Sequence, residues 1–372
     1  MSDFLFNDVI RSSKSEFFLK TNTNANDRLI VSTFFRNGTL LETRTREFNP
    51  EWPAEKLRVR TRQFHEEKRS EIQMLLQLSE RLRDSDQAEI KNLLGQAFMR
   101  RGMFEEAVIE FEEAIVLNPK VSVVYNNLGR AYTALHRYDD AIAVLEQALA
   151  MSSGFADFHN NLGLAYLRKE YCRKAVDQFL RAADSNPYYA EAYYNLALAY
   201  LMNTVTKEDF ALSVNSQQKI FESLEKAAKI NPAYRNDHTA QGEELLRRKK
   251  YEEAYKVLEQ SAGKMTRPAD VSFIMDFYLR AIYNIKKLTS RQIWRHIRQL
   301  QEYIEKYPNY ADLYNHLGVA YVILSKYVNH KAIQQFDKAL QFNPAFERAK
   351  RNKRLAEYDN KGMQLLFDAI LK

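Results

Sequence analysis

Two adjacent carboxamides recur at one point of a repeating pattern: YNNLGRAY at 125–132 returns as HNNLGLAY at 159–166 and, with one amide, as YYNLALAY at 193–200. A carboxamide offers a donor and an acceptor, which match the C=O and N–H of a peptide unit without reading the side chain beyond it. Packed helices lie about 8–10 Å apart and an extended chain advances about 3.3 Å per residue, so one amide per helical layer would meet a guest strand about every third residue. The expected contacts to such a guest are Asn126, Asn127, Asn160, Asn161 and Asn195. Around them Leu164, Tyr194 and Leu198 offer apolar surface, and Arg130 and Arg168 offer counter-charges for acidic side chains or a terminal carboxylate. Plainer roles compete: the amides can bond the adjacent helix, and Leu164 and Leu198 can fill the space between repeats. A net hydrogen bond contributes about 0.5–1.5 kcal/mol, whereas a micromolar complex needs about 8 kcal/mol. Three amides are therefore insufficient without their neighbours.

Other chemistry is not signalled. The sequence has no Gly-rich phosphate loop, no H-E-x-x-H helix, no Cys/His cluster and no G-x-S-x-G elbow, and its seven histidines are scattered. No catalytic residue, metal ligand or cofactor is expected, so a non-enzymatic protein is. The single cysteine, Cys172, cannot form an internal disulfide and reads as a small core residue in a reducing compartment. There is no apolar run of 18 residues and the N-terminus lacks the pattern of a secretory signal, so no transmembrane segment and a cytoplasmic location are expected. The formal net charge is +7, and residues 233–372 carry 25 basic side chains against 16 acidic ones. RRKK at 247–250 and KRNKR at 350–354 are the densest basic pieces, either solvated helix faces or a patch for an acidic partner.

The amides must be held by helices. In blocks of 34 from Ala88, the first shows Leu94, Gly95, Phe98, Ala107, Phe111, Ala114 and Pro119, the second Leu128, Gly129, Tyr132, Ala141, Leu145 and Ala148, and the third Leu162, Gly163, Tyr166, Ala175, Phe179, Ala182 and Pro187. Spacings of three, four and seven are helical, and each block holds two such runs separated by a polar break such as HRYDD at 136–140. A lone hairpin of this kind cannot bury its apolar side, so successive units must stack.

The pattern resembles the tetratricopeptide repeat family over about 270 residues. The resemblance implies a mainly α fold, a right-handed α-solenoid of about seven hairpins whose first helices line a concave groove. On each first helix the second, fifth, sixth, ninth, twelfth and thirteenth places form that inner face. The fourth unit keeps Tyr193, Leu196, Ala197 and Tyr200, with an insertion near 203–213 before Ala227 and Pro232. The fifth keeps Gly242, Leu245, Ala254 and Leu258, the sixth is weak, with Asp276 in the small-residue place, and the seventh shows Tyr314, Leu317, Gly318, Tyr321, Ala332, Phe336, Ala339 and Pro344. The asparagines are similar to the ladder in the peptide-binding superhelix of O-linked N-acetylglucosamine transferase, which would assign backbone reading to Asn127, Asn161 and Asn195. Leu93 and His316 break that ladder in the first and seventh units.

The expected domains are an N-terminal segment with a β-hairpin at 1–50, a long connecting helix at 51–87, the repeat solenoid at 88–344 and a capping helix at 345–372. Asn37-Gly38, flanked by β-branched and aromatic residues, marks the hairpin, which should recruit EFFLKT at 16–21, pack on a helix or add to a partner's sheet edge. The helix after Pro53 is expected to be exposed at first and then docked on the first repeat. The function expected is an adaptor that holds a protein or peptide client in the groove, with the hairpin as a second docking surface. RNA binding through the basic final third and self-assembly through the hairpin are the alternatives.

Overall fold

The computed structural model describes residues 4–12, 15–265, 277, 289–306, 311–342, 344 and 347–371. The chain divides into two compact units, Met1–Pro268 and Ala269–Lys372.

The first unit opens with an antiparallel meander of β1 (Leu5–Arg11), β2 (Glu16–Asn24), β3 (Leu29–Arg36) and β4 (Thr39–Glu47). Asn37 and Gly38, at φ 49° and 81°, make the expected tight turn between β3 and β4. The EFFLKT run lies in β2, so the hairpin packs within the chain. β1 was not expected; its partner is β2, from Leu5 opposite Asn22 to Arg11 opposite Glu16.

Helix α1 (Ala54–Arg81) follows Pro53 and covers one face of the sheet. Its first half is not exposed, contrary to expectation: Leu57 and Phe64 bury against Ile30 and Phe48. The sheet's inner residues Ile10, Phe17, Leu19 and Phe34 need such a cover, and the charged positions of α1 fall on its outer side. A buried polar chain fixes the seat. His65 lies 2.9 Å from Asp8 Oδ2 through Nε2 and 2.9 Å from Thr21 Oγ1 through Nδ1, and Thr21 is bonded in turn to Ser32. On the opposite face Val9, Phe18, Phe35 and Leu40 stand in register, one from each strand.

Hairpins follow: α2 (Ala88–Met99) with α3 (Phe104–Leu117), α4 (Ser122–Ala134) with α5 (Tyr138–Met151), and α6 (Ala156–Arg168) with α7 (Cys172–Ser185). α8 (Ala190–Thr206) pairs with α10 (Ser216–Ile230) across an insertion that holds the short α9 (Phe210–Ser213), and α11 (Asp237–Arg247) pairs with α12 (Tyr251–Met265). Within four of these five hairpins the helices approach at a glycine, while α8 carries Ala197 at that place. A Cβ at Gly95, Gly163 or Gly242 would stand 2.5, 2.6 or 2.5 Å from the side chains of Phe111, Phe179 and Leu258. The turn inside the hairpin uses a left-handed residue at Gly102, His136, Glu170 and Lys249. Gly102 is a glycine for a second reason: the Leu41 carbonyl of β4 occupies the space a Cβ would need.

The second helix of each early hairpin packs on the first helix of the next, α3 on α4, α5 on α6 and α7 on α8. The fifth hairpin breaks this rule. α10 and α11 make no extended contact and leave an opening of about 640 Å³ lined by Phe221, Tyr234 and Arg247, while α12 packs on α8 instead.

The second unit contains α13 (Ser290–Lys306), α14 (Ala311–Phe342) and α15 (Glu347–Leu371). Ile293, Ile297 and Leu300 of α13 pack with Leu313, Val319, Ala320 and Ile323 of α14. The mainly α repeat class holds, with one departure. The residues expected to form the seventh hairpin lie in a single 32-residue helix, because Ser325–His330 contain no glycine or proline and no left-handed residue interrupts α14. The first helix expected of the sixth unit, with Asp276, lies outside the described residues. Among the described residues no helix is long and apolar enough to cross a membrane.

Candidate functional site

The paired asparagines sit on the first helices α4, α6 and α8, and their amides bond one another across the stack. Asn127 Nδ2 donates to Asn92 Oδ1, Asn161 Nδ2 to Asn126 Oδ1 and Asn195 Nδ2 to Asn160 Oδ1, each at 2.9 Å. The other members reach forward at 3.2 Å, Asn126 Nδ2 to Asp157 Oδ2 and Asn160 Nδ2 to Glu191 Oε1. Each bond recurs 34 residues on, as the repeat does. A parallel series ties the outer layer: Tyr132 Oη donates to Glu112 and Tyr166 Oη to Glu146, both at 2.6 Å.

These amides take the plainer of the two roles set out above. Asn126, Asn127, Asn160 and Asn195 are buried and Asn161 is half-buried. Leaving a buried amide unbonded costs about 1–3 kcal/mol, which the mutual bonds avoid. What stays open to a guest is narrower, since only Oδ1 of Asn161 and Oδ1 of Asn195 accept no bond among the described residues.

The other expected contacts divide by position. Arg130, on α4, is exposed and among the described residues makes a single long bond, 3.5 Å to Asn127 Oδ1. Leu164 is half-buried. Tyr194 and Leu198 are buried, and α8 is buried without a break from Ala192 to Leu201. The reason is α12, whose Leu258 carbonyl accepts from Tyr194 Oη at 2.8 Å and whose Glu259 forms an ion pair with Arg168. The inner face is therefore open at α4 and filled at α8.

Three residues beside Arg130 escaped the sequence reading: Asp157, Glu191 and Tyr189. Both acids occupy the second place of their first helices, an inner-face place, so the repeat itself carried the signal. Burial pushes the Glu191 carboxyl up, against the bond from Asn160 and the nearby Arg130 charge. Asp157 is pushed the same way by burial but keeps more open surface, so its shift weighs less. Burial and the Glu191 charge also raise the Tyr189 phenol. The result is a cation and two crowded carboxylates on one inner surface.

Cys172 is fully buried and its thiol is pushed up to about 11 by burial, so it is a core residue with little thiolate. In the two densest basic pieces of the final third, five of the eight cations are answered nearby. Arg247 and Arg248 pair with Glu243 and Glu244, Lys250 with Glu253, Lys350 with Glu347 and Lys353 with Asp337.

Family models described as tetratricopeptide repeats match residues 88–121 and 110–143, and a further TPR repeat model matches 129–169. No curated protein matches the sequence significantly. Among solved structures, MamA from Desulfovibrio magneticus RS-1 is similar at 22% identity over 49% of this chain and 97% of that one, with a TM-score of 0.36. YrrB, described as a TPR protein with an unusual peptide-binding site, is similar at 14% identity over 55% of this chain and 97% of that one, also at 0.36. At these TM-scores the likeness carries no functional argument. The family models, the 34-residue period and the hairpins with their glycine contacts agree: this chain contains tetratricopeptide repeats, matched over residues 88–169.

Proposed function

We propose that the chain is a non-enzymatic protein-interaction scaffold that holds a client segment on the open part of its inner face, across α4 and α6. One observation carries this. Arg130 is an exposed guanidinium that uses one of five donors, in a long bond, beside the crowded carboxylates of Asp157 and Glu191. A charge held among buried amides, near these carboxylates but in no ion pair with them among the described residues, is suited to a client's acidic side chain or terminal carboxylate, which can accept two of its donors at once. The asparagines serve this site by fixing the spacing of the helices that carry it, and the acids select against clients with a second negative charge nearby. Protein interaction is the work of tetratricopeptide repeats generally, which supports the class of partner and leaves its identity to experiment.

The test is a photo-crosslinking residue placed at Val123, an exposed inner-face position, and a control at Val116 on α3. Crosslinks specific to Val123 are expected, and Arg130→Glu should lower their yield by about tenfold, as loss of one charge-assisted bond and gain of a repulsion imply. Equal products from the two positions, or crosslinks indifferent to Arg130→Glu, would refute the assignment.

A further inference from the structure

The fifth hairpin is complete in itself yet seated in an irregular place. Gly242 and Leu258 make the same contact that closes the first three hairpins, so α11 and α12 form one unit. Along its regular seat α11 meets α10 only where Gln217 Nε2 donates to the Leu246 carbonyl at 3.3 Å and Arg247 lies over Phe221, leaving an opening of about 640 Å³ among the described residues. Its actual seat puts α12 on α8, with the Leu258 carbonyl at Tyr194 Oη and Glu259 at Arg168. Tyr255, one turn before Glu259, donates to it at 3.3 Å, is crowded by its surroundings and feels the Arg168 charge. Tyr194 and Arg168 are fifth- and thirteenth-place residues, so α12 lies where an inner-face guest would.

We propose that the inner face of α6 and α8 is a helix-binding surface, that α12 is its resident occupant, and that a client helix carrying an aromatic and an acidic residue one turn apart, as Tyr255 and Glu259 are, takes its place. The proposal rests on the reading of the inner face as the client surface. The hairpin moves as a body about residues 231–236, between α10 and α11, and release of α12 opens Tyr194, Leu198 and Arg168 together. The contacts that hold α12 then become the contacts that hold the client, with Arg168 answering its acid.

A fluorescent peptide of residues 251–265, added to the full chain, tests this without knowledge of the client. The wild-type chain should bind it weakly, because its own α12 competes at high effective concentration. Glu259→Arg in the chain should tighten binding by roughly fivefold to tenfold, the order expected for reversing one half-exposed ion pair. Arg168→Cys with Glu259→Cys, in a Cys172→Ala background, gives a second arm read as a difference within one chain: the reduced form, weakened by loss of Arg168, should still bind the peptide more tightly than the oxidised form. Far-UV helicity is compared for every variant. Binding no tighter in Glu259→Arg than in wild type, or equal in the oxidised and reduced chains, would overturn the proposal. The Val123 crosslink probes α4 and the peptide probes α6 and α8, so loss of the client crosslink and loss of peptide binding report separate failures.

Discussion

Asn160 serves two neighbours at once, donating to Glu191 and accepting from Asn195 with no surface exposed. Truncating it would strand both, so the amides cannot be removed without loss of stability, whatever a client does. Glu191 is the costly member of this set. Because burial holds its carboxyl above the usual 4.5, the charged form is less favoured in the folded chain than in the unfolded one. The stability this group allows is thus fully present below about 4.5 and is lost as pH rises through its raised value. Glu191→Gln keeps an acceptor for Asn160 and removes the charge. It should melt higher than wild type at pH 7, and the advantage should vanish as pH falls toward 4.5, as thermal melts at three pH values would show. A wild type more stable than the variant at pH 7 would contradict the burial account.

Four of the five early hairpins are elements closed by one close approach at a glycine. Gly163→Val would force branches into a space where a Cβ alone stands 2.6 Å from Phe179, at a cost of about 3 kcal/mol. Gly154→Ala, with nothing within 4 Å, should shift stability by less than about 0.5 kcal/mol. Chemical denaturation of both variants checks the contrast, and equal effects would mean that the hairpin packs looser than its geometry. These close approaches were legible, since glycine and its partner recur 16 residues apart in blocks of fixed length. The hairpin turn at Asn37-Gly38 was legible for the same local reason. β1 and the first half of α1 were not, because neither buries a face until the other strands and the helix meet. Length gave a missed clue for α14: Tyr321 and Ala332 are eleven apart where Tyr132 and Ala141 are nine, and the intervening residues all tolerate helix.

At the scale of the whole molecule, the seat of a hairpin is decided by competition between surfaces and not by its own pattern. The fifth hairpin keeps the family's core residues, yet the insertion lengthens α8 to 17 residues against 13 in α6, and α10 no longer offers α11 its usual berth. Of the candidate site, the inner-face places were expected from the resemblance to the repeat family, and Arg130 was named with them as a counter-charge. The partners of the amides and the cover over α8 were not, because they depend on which helix arrives alongside. The bonds between layers join residues 31 or 35 apart, and this has an architectural corollary. A duplicated cassette of residues 156–189, spliced before Ala190, would present every orphaned amide with an equivalent carboxylate or carboxamide, so the stack should lengthen like a ratchet gaining a tooth. Such an extended chain should gain helical signal in proportion to its added length and unfold no earlier than its parent, whereas a splice of any other length would leave the teeth out of mesh.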